Sequence, residues 1–346
     1  MNQKTLFGLS DHRVKAALAA AESPDATPVE KVEMLMEIAM GLQQKPKSSQ
    51  DLHHASSLYA KALSLCPADE PLLNARVQAR MGTALNSMPQ DVPDNLEKAR
   101  AAFEHAIEVL KYHGSPEELA EAELNLGLTL QTLAGLGRGK ISDAINLYLR
   151  ALRTFTRDRY PMEFTILHNN LATAYLSIPV TDQNGKIREA LAVQSFEESL
   201  KVVTLVDHPT EYAMLQNNLG NALQYASSSH SVGNNLRAVA AYDEALKVRN
   251  SKDTPLGYAN TISNKANALR NLPDDIEHPE LGNQHNLELV RTYYQQARAI
   301  FEQYGESDKV TITHEMLAEV EEELKGHNPS LLSPHGASGN GMLTRN

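Results

Sequence analysis

Apolar and small residues recur along this chain at helical spacing, and the pattern returns every 43 to 48 residues. Each copy has a glycine or alanine at the centre of a first apolar stripe, where two helices can approach closely. These small residues are Ala39, Gly82, Gly127, Ala172, Gly220 and Ala266. A proline stands eleven residues before each of them, and proline is tolerated in the first turn of a helix. Each copy therefore predicts a first helix that begins at its proline.

A second apolar stripe follows in every copy and contains one large aromatic residue. A small or aliphatic residue lies four positions before it and a small residue three positions after it, so the three share one helical face. The aromatic residues are Tyr59, Phe103, Tyr148, Phe196, Tyr242 and Tyr294. Because one returns in every copy, we interpret them as core residues rather than as a platform for stacking nucleobases.

The copies and the remaining segments predict an all-α chain, since no run of alternating β-branched residues competes with the helical spacing. Residues 1–26 are expected to hold a short leading helix, and residues 27–306 six helical hairpins. Residues 307–326 continue the register as a C-terminal capping helix with a glutamate-rich polar face. Residues 327–346 are rich in Gly, Ser, Pro and Asn and are expected to be disordered.

Two motifs identify the type of repeat. The first helix carries Asn217-Asn218-Leu219-Gly220-Asn221-Ala222-Leu223, and the second carries Ala238 to Leu246 with Tyr242 and Ala245 in register. This pattern resembles the tetratricopeptide repeat over about 80% of the chain, in an elongated form similar to that of kinesin light chain and bacterial Asn-Asn-Leu-Gly proteins. The resemblance implies a right-handed superhelical solenoid of six hairpins that binds a segment of another protein.

One polar face of the first helices is the candidate binding site. The positions three before, one after and four after the small residue share a helical face, and in the family that face lines the concave groove. With positions one turn earlier, the candidate peptide-binding residues are Arg76, Gln131, Asn169, Thr173, Asn217, Asn221, Gln224, Asn260, Asn267 and Arg270. Asn and Gln offer both a donor and an acceptor and can match a peptide main chain. The alternative is that these polar residues form a solvated face.

Composition narrows the chemistry. A net charge of −11 disfavours nucleic acid and anionic membrane as partners. Cys66 is the single cysteine, so no internal disulfide framework and no four-thiolate metal site can form. The thirteen histidines lack chelating spacing, and Gly135 to Lys140 lacks the preceding strand of a phosphate-binding loop. We therefore expect no metal, no cofactor and no catalytic site, in a cytoplasmic protein without a signal peptide.

The sequence thus predicts a non-catalytic interaction scaffold or adaptor that binds an extended or helical peptide segment of a partner protein. The alternative is a regulatory protein that senses a short peptide or small ligand in the same groove.

Overall fold

The computed structural model describes residues 12, 14–88, 93–178, 185–226 and 231–326. From residue 28 onward these described residues form thirteen α-helices and one short 3₁₀ helix, Pro279–Leu281, with no β-strand among them. Residues 14–21 are also helical. The all-α prediction is confirmed for this part of the chain, whereas the start of the leading helix and the tail 327–346 lie outside it.

The α-helices alternate between the two predicted types. The first helices are α1 (Pro28–Gln44), α3 (Pro71–Asn86), α5 (Pro116–Gly135), α7 (Pro161–Leu176), α9 (Pro209–Gln224) and α11 (Pro255–Arg270). The second helices are α2 (Ser49–Leu65), α4 (Pro93–His113), α6 (Ile141–Ala151), α8 (Gly185–Leu200), α10 (Ser231–Leu246) and α12 (Gln284–Gln303), and α13 (Ser307–Gly326) follows the last pair. All six first helices begin at the proline that the spacing indicates.

Local capping explains why two of these helices start where they do. The Oγ1 atom of Thr27 accepts a hydrogen bond from the amide of Glu30 at 3.3 Å, and Glu30 Oε2 accepts one from the amide of Thr27 at 2.8 Å. Ser115 and Glu118 form the same reciprocal pair at the start of α5. Each pair satisfies two amide donors that a helix start leaves open.

The chain divides into two compact units, Met1–Asn170 and Leu171–Asn346, with the boundary inside α7. In the first unit, each first helix from α1 to α5 packs on its own second helix, and α3 and α5 also pack on the second helix before them. In the second unit, α9 and α11 make the same two contacts, and α13 packs on α12. Successive first helices also touch one another, as α1 and α3, α3 and α5, and α9 and α11 do. The first helices therefore present neighbouring faces within each unit.

The small residue of each first helix makes room for an aromatic ring. A Cβ atom at Gly220 would lie 2.5 Å from Cε1 of Tyr242, and one at Gly82 would lie 2.8 Å from Cε2 of Phe103. Both distances are shorter than van der Waals contact, so a side chain at either of these two positions would displace the ring. The predicted aromatic core is confirmed, because all six rings have 1% or less of their surface exposed.

Candidate functional site

The candidate polar face is most complete on α9 and α11, two adjacent first helices of the second unit. Asn217, Asn221 and Gln224 lie on α9, and Asn267 and Arg270 lie on α11. Because α9 and α11 pack on each other, their polar rows run side by side.

The carboxamide oxygens on this face hold the hydroxyl groups of the core tyrosines. The hydroxyl of Tyr242 donates to Asn221 Oδ1 at 2.7 Å and lies 3.0 Å from Gln224 Oε1. The hydroxyl of Tyr294 donates to Asn267 Oδ1. Burial raises the pKa of Tyr242 and of Tyr294, so both remain neutral donors. A buried hydroxyl that lacked an acceptor would cost about 1–3 kcal/mol, and these amides remove that cost.

The same bond occurs in the first unit wherever the core aromatic residue is tyrosine. The hydroxyl of Tyr148 donates to Gln131 Oε1 at 2.8 Å, and that of Tyr59 donates to Gln43 Oε1 at 3.0 Å. In the repeat whose aromatic residue is Phe196, the position that corresponds to Gln131 is occupied by Leu176, which has no hydrogen-bonding group in its side chain. Part of the amide row is therefore structural, with one amide accepting from each buried tyrosine hydroxyl.

The tyrosine bonds also fix the orientation of the amides. In Asn221 and Asn267 the hydroxyl occupies the carboxamide oxygen, which leaves the NH₂ group of the same side chain for another acceptor. Among the described residues, none accepts a hydrogen bond from the NH₂ group of Asn221, Gln224 or Asn267. All three side chains are half-buried. The face thus presents two hydrogen-bond donors whose orientation the core fixes, on Asn221 and Asn267, and Gln224 lies beside them.

Asn217 and Asn260 differ from these three. Asn217 has only 8% of its surface exposed, and its Oδ1 accepts a bond from Asn264 Nδ2 at 3.4 Å. Asn260 lies one turn before Asn264 on α11, and its buried Oδ1 has no hydrogen-bond partner among the described residues. The fully buried Oγ of Ser263 also has no partner among them. A buried acceptor without a partner is rare and often marks a missing water or ligand group.

The two candidate arginines are engaged in ion pairs. Arg270 contacts Glu319 at 2.8 Å and also Glu323, both on α13. Burial lowers the pKa of Arg270, but its hydrogen bonds to these two carboxylates outweigh burial and raise it. Arg76 donates from Nε to Glu118 Oε1 at 2.6 Å. Neither guanidinium is a free cation, and Arg270 ties α11 to α13.

The remaining candidates lie on α7 and are described with the unit to which each belongs. Asn169 falls in the first unit and Thr173 in the second. Both are half-buried and both interact with other residues of the chain.

Among the described residues, no three His, Cys, Asp or Glu side chains converge in a way that could hold a metal ion. None of the described helices is both long and apolar enough to cross a bilayer.

The tyrosine–amide bonds were not anticipated from the sequence, although a signal for them exists. Each repeat with a core tyrosine has an amide one or four residues after its small residue. The amides that serve the four tyrosines are Gln43, Gln131, Asn221, Gln224 and Asn267. A buried hydroxyl needs an acceptor. An amide side chain on the first helix is long enough to reach the tyrosine hydroxyl of the second helix and accept its hydrogen bond.

Comparison with known proteins gives only distant likeness. No family model matches the chain, and no curated protein matches it. A structure of a Rap protein complexed with competence and sporulation factor is 11% identical, with a TM-score of 0.38, over 95% of this chain and 89% of that chain. The TPR2AB domain of yeast Sti1 in complex with pHSP90 is 14% identical, with a TM-score of 0.27, over 84% of this chain and 98% of that chain. These are structures that the chain is similar to.

Proposed function

We propose that this protein is a non-catalytic interaction module that binds an extended peptide segment of a partner protein along α9 and α11. We further propose that its hairpins are elongated tetratricopeptide repeats of the kinesin light chain type. The repeat spacing and the Asn-Asn-Leu-Gly motif at Asn217 to Gly220 support that second part.

The observation that carries the proposal is the pair of oriented donors on Asn221 and Asn267. The oxygen of each accepts from a buried tyrosine hydroxyl, and Gln224 Oε1 lies 3.0 Å from the hydroxyl of Tyr242 beside them. Such pre-orientation lowers the entropy lost on binding. Peptide carbonyl oxygens are the matching acceptors, because every residue of a peptide carries one regardless of its side chain.

Asn260 adds an acceptor to the same helix. Its buried Oδ1 has no partner among the described residues, so rotation of this side chain toward a ligand N–H would break no existing hydrogen bond of that oxygen. A main chain laid across α11 would then meet donors and acceptors on one helix, as an extended peptide requires.

The test uses peptides selected from a random displayed library against the full chain, with affinity measured by fluorescence anisotropy. The substitutions Asn221→Asp and Asn267→Asp keep the oxygen that accepts from the tyrosine and remove the NH₂ donor. Together they should weaken binding by roughly tenfold or more, since two lost hydrogen bonds of about 0.5–1.5 kcal/mol each correspond to that ratio. Thermal unfolding should change little.

Gln295→Glu provides the matched control. It introduces the same charge change on the exposed side of α12, away from the amide row, and should leave affinity unchanged. The proposal fails if the double Asp variant binds the selected peptides as tightly as the wild type, or if Gln295→Glu weakens binding to the same extent.

A further inference from the structure

A groove in the first unit lies between α2 and α4, with α3 as its floor. Its volume is about 590 Å³, and sites that hold small molecules have volumes of roughly 300–1,000 Å³. The floor consists of Gln78, Met81, Leu85 and Met88, which share one face of α3. At about 100° per residue this face points nearly opposite to the polar positions 79, 83 and 86. The groove is therefore separate from the candidate polar face.

The floor of the groove is apolar and adaptable. Leu85 and Met88 have 5% of their surface exposed, and Met81 is half-buried. Asn95 Nδ2 on α4 donates to Met88 Sδ at 3.5 Å, which holds that side chain in the floor. The walls are lined by small residues: Ala60, Ala101 and Ala102. Methionine side chains are flexible and polarisable, so this floor can fit an irregular apolar ligand.

The polar edge of the groove carries positive charge and N–H donors without a balancing carboxylate. Lys98 and His105 of α4 and His53 of α2 line it, and none of the described residues that line it is Asp or Glu. These three side chains are exposed, and none bonds to another described residue. Glu104, beside His105 along the chain, is paired with Arg100 at 2.9 Å. A cleft lined by charge of one sign attracts ligands of the opposite sign.

We propose that this groove binds a small monocarboxylate with an alkyl chain. The chain lies on the methionine and leucine floor, and the carboxylate accepts from the Lys98 ammonium and from imidazole N–H groups of His53 and His105. Both parts of the ligand are required, because an exposed lysine alone binds an anion only weakly and a small apolar floor does not distinguish charge. This site lies on α2, α3 and α4 and does not depend on the peptide proposal.

The experiment titrates the full chain, labelled with carbon-13 at its methionine methyl groups, with sodium octanoate below its micelle concentration. Met81→Leu and Met88→Leu assign the two signals of the floor. We expect both signals to shift saturably in nuclear magnetic resonance spectra, while the signal of Met316 in the second unit stays in place. Octanol lacks the carboxylate and sodium acetate lacks the chain, so each should bind roughly tenfold more weakly or less than that.

Two substitutions test the two parts of the site. Lys98→Gln removes the charge from an exposed side chain and should weaken octanoate binding by roughly tenfold without changing octanol binding. Ala101→Met fills the groove from its wall and should weaken both ligands. Lys111→Gln is the matched control, since it removes the same charge from an exposed position of α4 outside the groove, and it should bind octanoate as the wild type does.

The proposal is overturned if octanoate does not shift the Met81 and Met88 signals saturably. It is also overturned if octanol or acetate binds as tightly as octanoate, or if Lys98→Gln and Lys111→Gln have the same affinity for octanoate.

Discussion

Tyr242 shows how a single hydroxyl group shapes the surface above the core. Its ring fills the space left by Gly220, which buries the hydroxyl at the base of the polar face. The hydroxyl then requires an acceptor, and Asn221 and Gln224 provide two. The amide oxygen therefore serves the core, while the NH₂ group donates to no other described residue, as the proposed peptide contact requires.

The first prediction concerns this pair of acceptors. The double change Asn221→Ala with Gln224→Ala leaves the Tyr242 hydroxyl buried without an acceptor, so the free energy of unfolding should fall by about 1–3 kcal/mol. Adding Tyr242→Phe should recover most of the loss, because no unsatisfied group then remains. Urea unfolding of the three variants measures both steps. If Tyr242→Phe fails to recover stability in the double variant, the hydroxyl is not what the amides satisfy.

The second prediction contrasts two helical glycines. Gly220→Ala should destabilise the protein despite the roughly 1 kcal/mol by which alanine is favoured in a helix, because its Cβ would overlap the Tyr242 ring. Gly41→Ala in α1 should instead stabilise it by about 0.5–1 kcal/mol, since a Cβ at Gly41 meets no atom within 4 Å. Chemical unfolding of both variants is the measurement. Equal effects of the same sign would contradict the packing role of Gly220.

At the scale of the element, α13 has the register of a seventh first helix, and the part of the chain that the structure describes ends with it. Ala318, in the position of the buried small residues, is exposed. The glutamates of this helix were expected to form a solvated cap. Two of them, Glu319 and Glu323, instead bind Arg270 of α11. This contact connects α13 to the preceding first helix.

The third prediction tests that connection. Arg270→Met leaves the half-buried Glu323 carboxylate without its cation, so local opening of α13 should become easier by about 1–2 kcal/mol. Its amides should exchange with solvent roughly 5–30 times faster in hydrogen–deuterium exchange. Lys325→Ala on the same helix breaks only the exposed pair with Glu322 and should have almost no effect. Equal exchange rates in the two variants would show that the ion pairs of Arg270 do not hold α13 against α11.

At the scale of the whole molecule, four buried tyrosines make the fold sensitive to alkali. Burial raises the pKa of Tyr59, Tyr148, Tyr242 and Tyr294. A group whose pKa is raised on folding contributes stability that is complete below its unfolded pKa, about 10 for tyrosine. That stability is lost as the pH rises above this value.

The fourth prediction follows. The free energy of unfolding should fall steadily above about pH 10, and the buried tyrosines should ionise only as the helices unfold. Tyrosinate absorbance and far-ultraviolet circular dichroism, followed in one titration, would show this. Complete tyrosine ionisation in a chain that keeps its full helical signal would contradict the burial of the four hydroxyls.

Most of the architecture was accessible from the sequence because it rests on local and periodic signals. Proline fixes where α3 or α9 begins, and the small residue with its aromatic partner fixes how each pair packs. The hydrogen bonds of the polar face were less accessible, since the Arg270 contact spans 53 residues to Glu323. The contacts of Arg249 likewise join it to Thr261 and Gly257 of the next helix. Helical periodicity does not encode such contacts between elements.

The most direct test of the central claim measures whether the oriented amides hold a ligand's main chain. A selected peptide is synthesised with single carbonyl oxygens replaced by sulfur, a weaker acceptor, and titrated calorimetrically against wild-type protein and Asn267→Asp. The account predicts that one thioamide position weakens binding to the wild type by several-fold and has no further effect in Asn267→Asp, because both changes remove the same bond. Purely additive losses at every position would contradict it.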